Sequence, residues 1–283
     1  MSLDLLVQAD HAATEQKRWT LLRRALMGRD PYIAYQVGLR GYLVESAQEI
    51  VCEVGDEKTI DQFARDVKGA DRVVLGRAMA RRGSPHRCYN FAAYHRPADV
   101  EDLQWCVIRS GNGNLMVRFA QNVRTANVRA LETAVLDVGS AFYVYEFARH
   151  VVGADVRRLE RFVLDLGHSE GAYWFASSVR GADLRACEAV VIRYGSAHTC
   201  FEFAQQVAGA DVNALQRRAI QAADGQDPNV EYRALWGFAS VVRGNDVGHL
   251  YASLVDTRLD HLAQRIKREC PWFGKSQDTL SNR

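Results

Sequence analysis

Arginine, cysteine and histidine supply most of the reactive side chains in this sequence, and their spacing narrows the chemistry open to them. The six cysteines (Cys52, Cys88, Cys106, Cys187, Cys200, Cys270) include no C-x-x-C pair, so neither a zinc knuckle nor a thioredoxin-like dithiol is indicated. The eight histidines contain no H-E-x-x-H and no other metal-ligand spacing. Gly111-Asn112-Gly113 looks like the start of a phosphate loop, but no strand pattern precedes it. No catalytic residue, metal or cofactor is therefore expected.

The arginines are better ordered. Lys68, Arg96, Arg124, Arg180 and Arg243 fall in one register of a repeating unit, and Arg129, Arg157 and Arg185 in another. Along a regular array these residues would track the phosphates of a nucleic acid, with Arg77, Arg81, Arg109, Arg161, Arg193 and Arg217 beside them. A structural account competes. The first register lies at helix C-termini, where a cation complements the macrodipole. The second stands three residues before Glu132, Glu160 and Glu188, which suits local ion pairs. Large aromatics in otherwise polar registers are candidates of another kind, as anchors for a protein partner. Trp105 aligns with Arg77, Thr133, Arg161 and Arg217; Trp174 with Asn90, Arg118, Glu146 and Glu202; Tyr94 with Asp66, Asn122, His150 and Gln206. Tyr143 joins them.

The registers come from a repeat. Phe-Ala recurs at Phe63, Phe91, Phe119, Phe147, Phe175 and Phe203, each 28 residues after the last, and again at Phe238 after a longer loop containing Gly225 and Pro228. Gly69, Gly153, Gly181, Gly209 and Gly244 mark where a first helix ends. Asp71, Asp99, Asn127, Asp155, Asp183, Asp211 and Asp246 then cap a second helix. Gly83, Gly111, Gly139, Gly167 and Gly195 close it, and Ser84, Asn112, Ser140 and Ser196 cap the next. Two helices of about three turns account for the period. Neither would persist alone in water, so stacked hairpins must supply the core. The same registers explain most of the thiols. Cys88 and Cys200 align with Met116, Val144 and Ala172, Cys106 with Ala134, Phe162 and Val190, and Cys187 replaces a leucine, as small core residues would.

This array is similar to the class of α-solenoids that includes HEAT, armadillo and tetratricopeptide proteins, over roughly Asp56 to Arg265, although its unit is shorter than theirs. Its Phe-Ala and Gly-Ala-Asp units also resemble those of bacterial and phage-borne proteins. The resemblance implies an all-α, right-handed or superhelical α-solenoid of about seven to eight hairpins. Residues 1–56 are expected to form an N-terminal helical cap with a degenerate repeat, and residues 57–245 the array. A single capping helix should occupy 246–274 and a flexible tail 275–283.

Formal net charge is only +2, with five lysines against 31 arginines, so strong indiscriminate binding to nucleic acid is not expected. No apolar leader and no stretch of about 18 apolar residues stands in the chain, which points to the cytoplasm and away from a membrane. The sequence thus predicts a non-enzymatic scaffold for protein–protein interaction. The alternative is a nucleic-acid-binding solenoid that uses its arginine-rich second helices, and a second copy of the chain is also admitted as a partner.

Overall fold

The computed structural model describes residues 2–97, 99–223, 228–242, 246–256 and 259–270. Among them all regular structure is α-helical, in nineteen helices, and the chain divides into two compact units, Met1–Val138 and Gly139–Arg283. In the first unit, α1 (Ser2–Asp10) packs on α2 (Glu15–Leu26), α3 (Pro31–Leu39) on α4 (Val44–Val54), and α5 (Glu57–Asp66) on α6 (Arg72–Arg82). Then α7 (Pro85–His95) pairs with α8 (Glu101–Arg109), and α9 (Gly113–Asn122) with α10 (Val128–Val138). The second unit pairs α11 (Ala141–His150) with α12 (Val156–Asp165), α13 (Ser169–Ser178) with α14 (Leu184–Tyr194), and α15 (Ala197–Gln206) with α16 (Val212–Ala222). It closes with α17 (Pro228–Ser240), α18 (Val247–Asp256) and α19 (Asp260–Glu269).

Each unit has two layers. In the first, α3, α5, α7 and α9 lie side by side, and α4, α6 and α8 form the other sheet of helices. In the second, α11, α13, α15, α17 and α19 form one layer and α12, α14, α16 and α18 its partner. The helices are more numerous than seven to eight hairpins with a capping helix at each end require, because both terminal segments are broken. Between α1 and α2 the chain leaves the helix, and Thr14, extended at φ −131°, accepts a hydrogen bond from the Lys17 amide at 3.3 Å. At the other end Leu259 separates α18 from α19. Gly225, Gly244 and the expected tail 275–283 lie outside the described residues.

The corners follow the sequence punctuation. Asp71, Asn127, Asp155, Asp183, Asp211 and Asp246 each accept from an amide in the first turn of a second helix. Gly153 and Gly181 sit at φ 86° and 88°, a left-handed conformation in which a side chain would be strained. Ser84 and Ser140 precede their helices without a side-chain cap bond, whereas His168, a residue with little N-cap preference, accepts from the Gly171 amide at 3.0 Å through Nδ1.

Two rows hold successive hairpins together. The first is aromatic: Phe63, Phe91 and Phe119 in one unit, and Phe147, Phe175, Phe203 and Phe238 in the other, are all essentially inaccessible to solvent. The Phe63 ring reaches the preceding hairpin, since a Cβ on Gly38 of α3 would stand 2.7 Å from it. The second row is polar. Gln48, Gln104, Glu132, Glu160, Glu188 and Gln216 are buried on second helices at the 28-residue period. Gln48 Oε1 accepts the Asp71 amide at 2.7 Å, Gln104 Oε1 the Asn127 amide at 2.8 Å, and Glu160 Oε1 the Asp183 amide at 2.5 Å. Glu188 accepts the Asp211 amide in the same way, and Gln216 donates to the Asp246 carbonyl at 2.9 Å. Gln48, Gln104, Glu160, Glu188 and Gln216 therefore each latch the corner of the next hairpin, 23 residues on in the first four cases.

One corner departs from the rule. Gly76 occupies the latch position, and the corner it would serve runs through Arg96, left-handed at φ 49°, and Pro97 in place of the glycine. Arg77 pairs instead with Asp99 at 3.2 Å. His95, buried where sister repeats place valine, meets Asp61 of α5 at 2.8 Å.

Phe147→Ala, which empties a fully buried site, should cost about 3–5 kcal/mol in urea unfolding. Unchanged stability would remove the packing role of the row. Glu160→Ala leaves the Asp183 amide without its partner and should cost about 1–3 kcal/mol, whereas Glu160→Gln keeps an acceptor and should recover most of it. Equal losses for the two variants would show that the acceptor is not what matters.

Candidate protein-binding face

In the second unit, the helices of the first layer place aromatic rings where solvent reaches them. Phe142 on α11 is 49% exposed, and its ring meets Trp174 of α13 edge-on at 5.8 Å and Tyr143 at 5.5 Å. Beneath them Tyr145 is buried, 5.6 Å from Trp174, with its hydroxyl held at 2.5 Å by Arg149. His168, which caps α13, lies 5.9 Å from the same indole. Trp174 is thus half-buried, and Tyr143 likewise. The neighbours hold both rings in fixed orientations, which lowers the entropy lost when a partner docks on them.

The remaining aromatic candidates stand in the first unit. Trp105 on α8 is 48% exposed and Tyr94 on α7 is 79% exposed. They lie on helices of different layers and so do not join into one patch. Sequence registers single out Trp174 but not Phe142, although the register of Phe142, filled otherwise by His86, Asn114, Glu170 and His198, is as polar as that of Trp174 and carries the same signal.

The basic candidates are all at the surface where they are described. In the first unit these are Lys68, Arg96 and Arg124 near first-helix ends, with Arg77, Arg81 and Arg109 on second helices; in the second they are Arg180, Arg161, Arg193 and Arg217. Arg243 lies outside the described residues. Several cations are interleaved with acids. Arg77 stands 3.2 Å from Asp99 and 3.8 Å from Asp102. Arg157 stands 3.4 Å from Glu160 and 3.9 Å from Asp183, Arg185 lies 2.8 Å from Glu188, and Arg129 lies 3.9 Å from Glu132. An open groove of about 600 Å³ beside α12 repeats the mixture, lined by Arg157, Arg158 and Arg161 together with Asp155, Asp165 and Asp183. Arg193 lies over the Tyr194 ring at 5.1 Å. The anticipated local ion pairs do form, but their carboxylates are the buried latches and not surface residues.

All six cysteines are buried as free thiols. Loss of hydration pushes Cys52 up to about 11 and Cys187 and Cys200 up to about 12, so these sulfurs stay protonated and behave as core atoms. His86 and His198 are exposed. Among the described residues no group of three or more His, Cys, Asp or Glu side chains is gathered as for a metal ion, and no helix is long and apolar enough to cross a membrane. Comparison with family models, curated proteins and solved structures finds no match for the chain.

Proposed function

We propose that this chain is a non-enzymatic α-solenoid scaffold of the cytoplasm whose exposed helical faces bind another protein. The observation that carries this reading is the Phe142–Trp174 pair: two large rings, backed by the buried Tyr145, presented at the surface on neighbouring helices. Rings of this kind, rigid and partly desolvated before contact, dominate the energetics of protein interfaces. Trp105 and Tyr94 supply further apolar contact on the first unit. Repeating hairpins suit the task because one face can vary while the latch and phenylalanine rows hold the framework constant.

Exposed Arg81, Arg109, Arg161, Arg193 and Arg217 favour a second reading, binding to nucleic acid through the second helices. The pairing of Arg77, Arg157 and Arg185 with carboxylates weakens it, because each such pair leaves less positive field for a phosphate.

Affinity purification from the native host, with wild type beside a Trp105→Ala, Trp174→Ala double variant and a Phe142→Ala variant, tests the first reading. Loss of one defined partner from the variants is expected, and an unchanged set of partners would defeat the choice of anchors. Titration with nonspecific duplex DNA and RNA tests the second. Micromolar binding that weakens steeply with salt, and that drops on charge reversal of Arg109, Arg161 and Arg193, would favour nucleic acid over protein; no binding at low salt would eliminate it.

A further inference from the structure

The α7–α8 hairpin is the place where two cysteine registers of the repeat are filled together. Position 88 aligns with Met116, Val144, Ala172 and Cys200, and position 106 with Ala134, Phe162, Val190 and Arg218, so Cys200 faces no sister thiol across its own hairpin. The Cys88 and Cys106 sulfurs stand 2.8 Å apart. That is nearer than the ~3.5–4.0 Å of ordinary non-bonded contact and a short movement from the ~2.05 Å of a covalent S–S bond. Both thiols also converge on one acceptor, the Gly83 carbonyl, at 3.8 Å from Cys88 and 3.7 Å from Cys106. Cys88 is fully enclosed, while Cys106, at 9% exposure, is the nearer of the two to solvent. Cys187 and Cys200 have different surroundings: Cys187 lies 3.6 Å from Glu160 and Cys200 3.9 Å from the Val191 carbonyl.

We propose that Cys88 and Cys106 are a modification site, closing to a reversible intramolecular disulfide when the protein meets a hydroperoxide. In the first step the Cys106 thiolate attacks a peroxide oxygen; the S–O bond forms as the O–O bond breaks, and with hydrogen peroxide one water leaves. In the second step the Cys88 sulfur attacks the resulting sulfenic acid. The S–S bond forms, the S–O bond breaks, and the departing hydroxide takes the Cys88 proton as a second water. The two thiols give up two electrons and the peroxide gains them, while a dithiol reductant reverses the exchange. Burial raises the Cys88 thiol well above its ordinary range, which suits it to the resolving role and leaves the initial attack to its neighbour. The bond would tie α7 to α8 covalently and withdraw both S–H groups from the Gly83 carbonyl, at the corner between α6 and α7. This site is independent of the scaffold reading.

The test treats the full-length protein with hydrogen peroxide, alkylates the remaining thiols in denaturant and maps the peptides by mass. Expected is a peptide pair joined through Cys88 and Cys106 and lighter by two hydrogens, with the other four cysteines alkylated and full reversal by dithiothreitol. The oxidised protein should unfold at a midpoint several degrees higher than the reduced one. Cys88→Ala and Cys106→Ala place in each register a residue that sister repeats already carry, at Ala172 and Ala134, and neither should form the crosslink. Six alkylated thiols after exposure, a different pairing, or a sulfinic acid at either position with no crosslink would overturn the proposal.

Discussion

A backbone amide at the start of a second helix, at Asp71, Asn127, Asp183 and Asp211, is the constraint around which this architecture is arranged. A helix of ten or eleven residues leaves its first amides unpaired, and the capping aspartate satisfies only those inside the turn. The amide of the cap residue itself points inward, where an unmet donor is costly. A glutamine or glutamate from the preceding hairpin answers it, at Gln48, Gln104, Glu160 and Glu188. The three glutamates put a carboxylate in a setting from which water is excluded. An arginine one turn earlier on the same helix, Arg129, Arg157 or Arg185, stands against it from the solvent side. Local helix formation and contact between hairpins are thereby coupled, and the phenylalanine row adds apolar burial across the same boundaries.

Much of this was legible in the residues because punctuation and period are local. The Phe-Ala spacing, the Gly-x-Asp corners and the capping side chains led directly to helices of the observed length. What stayed hidden depended on burial or on contacts between registers. Arg157-x-x-Glu160 has the spacing of a surface ion pair, and nothing in the string says that the glutamate faces inward. Neither glycine nor proline stands between α1 and α2, so the break ahead of Thr14 is unmarked in the string. His168 is an uncommon cap and therefore an unmarked one. Phe142 and Trp174 are 32 residues apart and share no register, so only the packing of α11 on α13 brings them together.

Deviations from the repeat gather in one stretch of the first unit. Gly76 gives up the latch, His95 replaces valine and takes Asp61 as partner, Arg96 carries a left-handed backbone that costs a non-glycine residue about 1–2 kcal/mol, and Pro97 stands where most corners have glycine. Arg77 reaches Asp99, so the corner is tied by an exposed ion pair in place of a buried hydrogen bond. Exposed pairs contribute little, so the His95 ring on Asp61 and the His95 carbonyl, which accepts from Arg72, carry more of the polar connection across that boundary.

The span of the latch has a consequence for how such a chain can change over generations. Because the acceptor and the amide it serves belong to successive hairpins with the same offset, duplicating or excising one whole 28-residue segment from the regular part of either unit rebuilds an equivalent junction at the seam. A loss of two or three residues would strand both the carboxamide and the donor. The stretch from Gly76 to Asp99 lacks that interchangeability, since its partners are peculiar to it, so genetic lengthening and shortening should be tolerated elsewhere and selected against there.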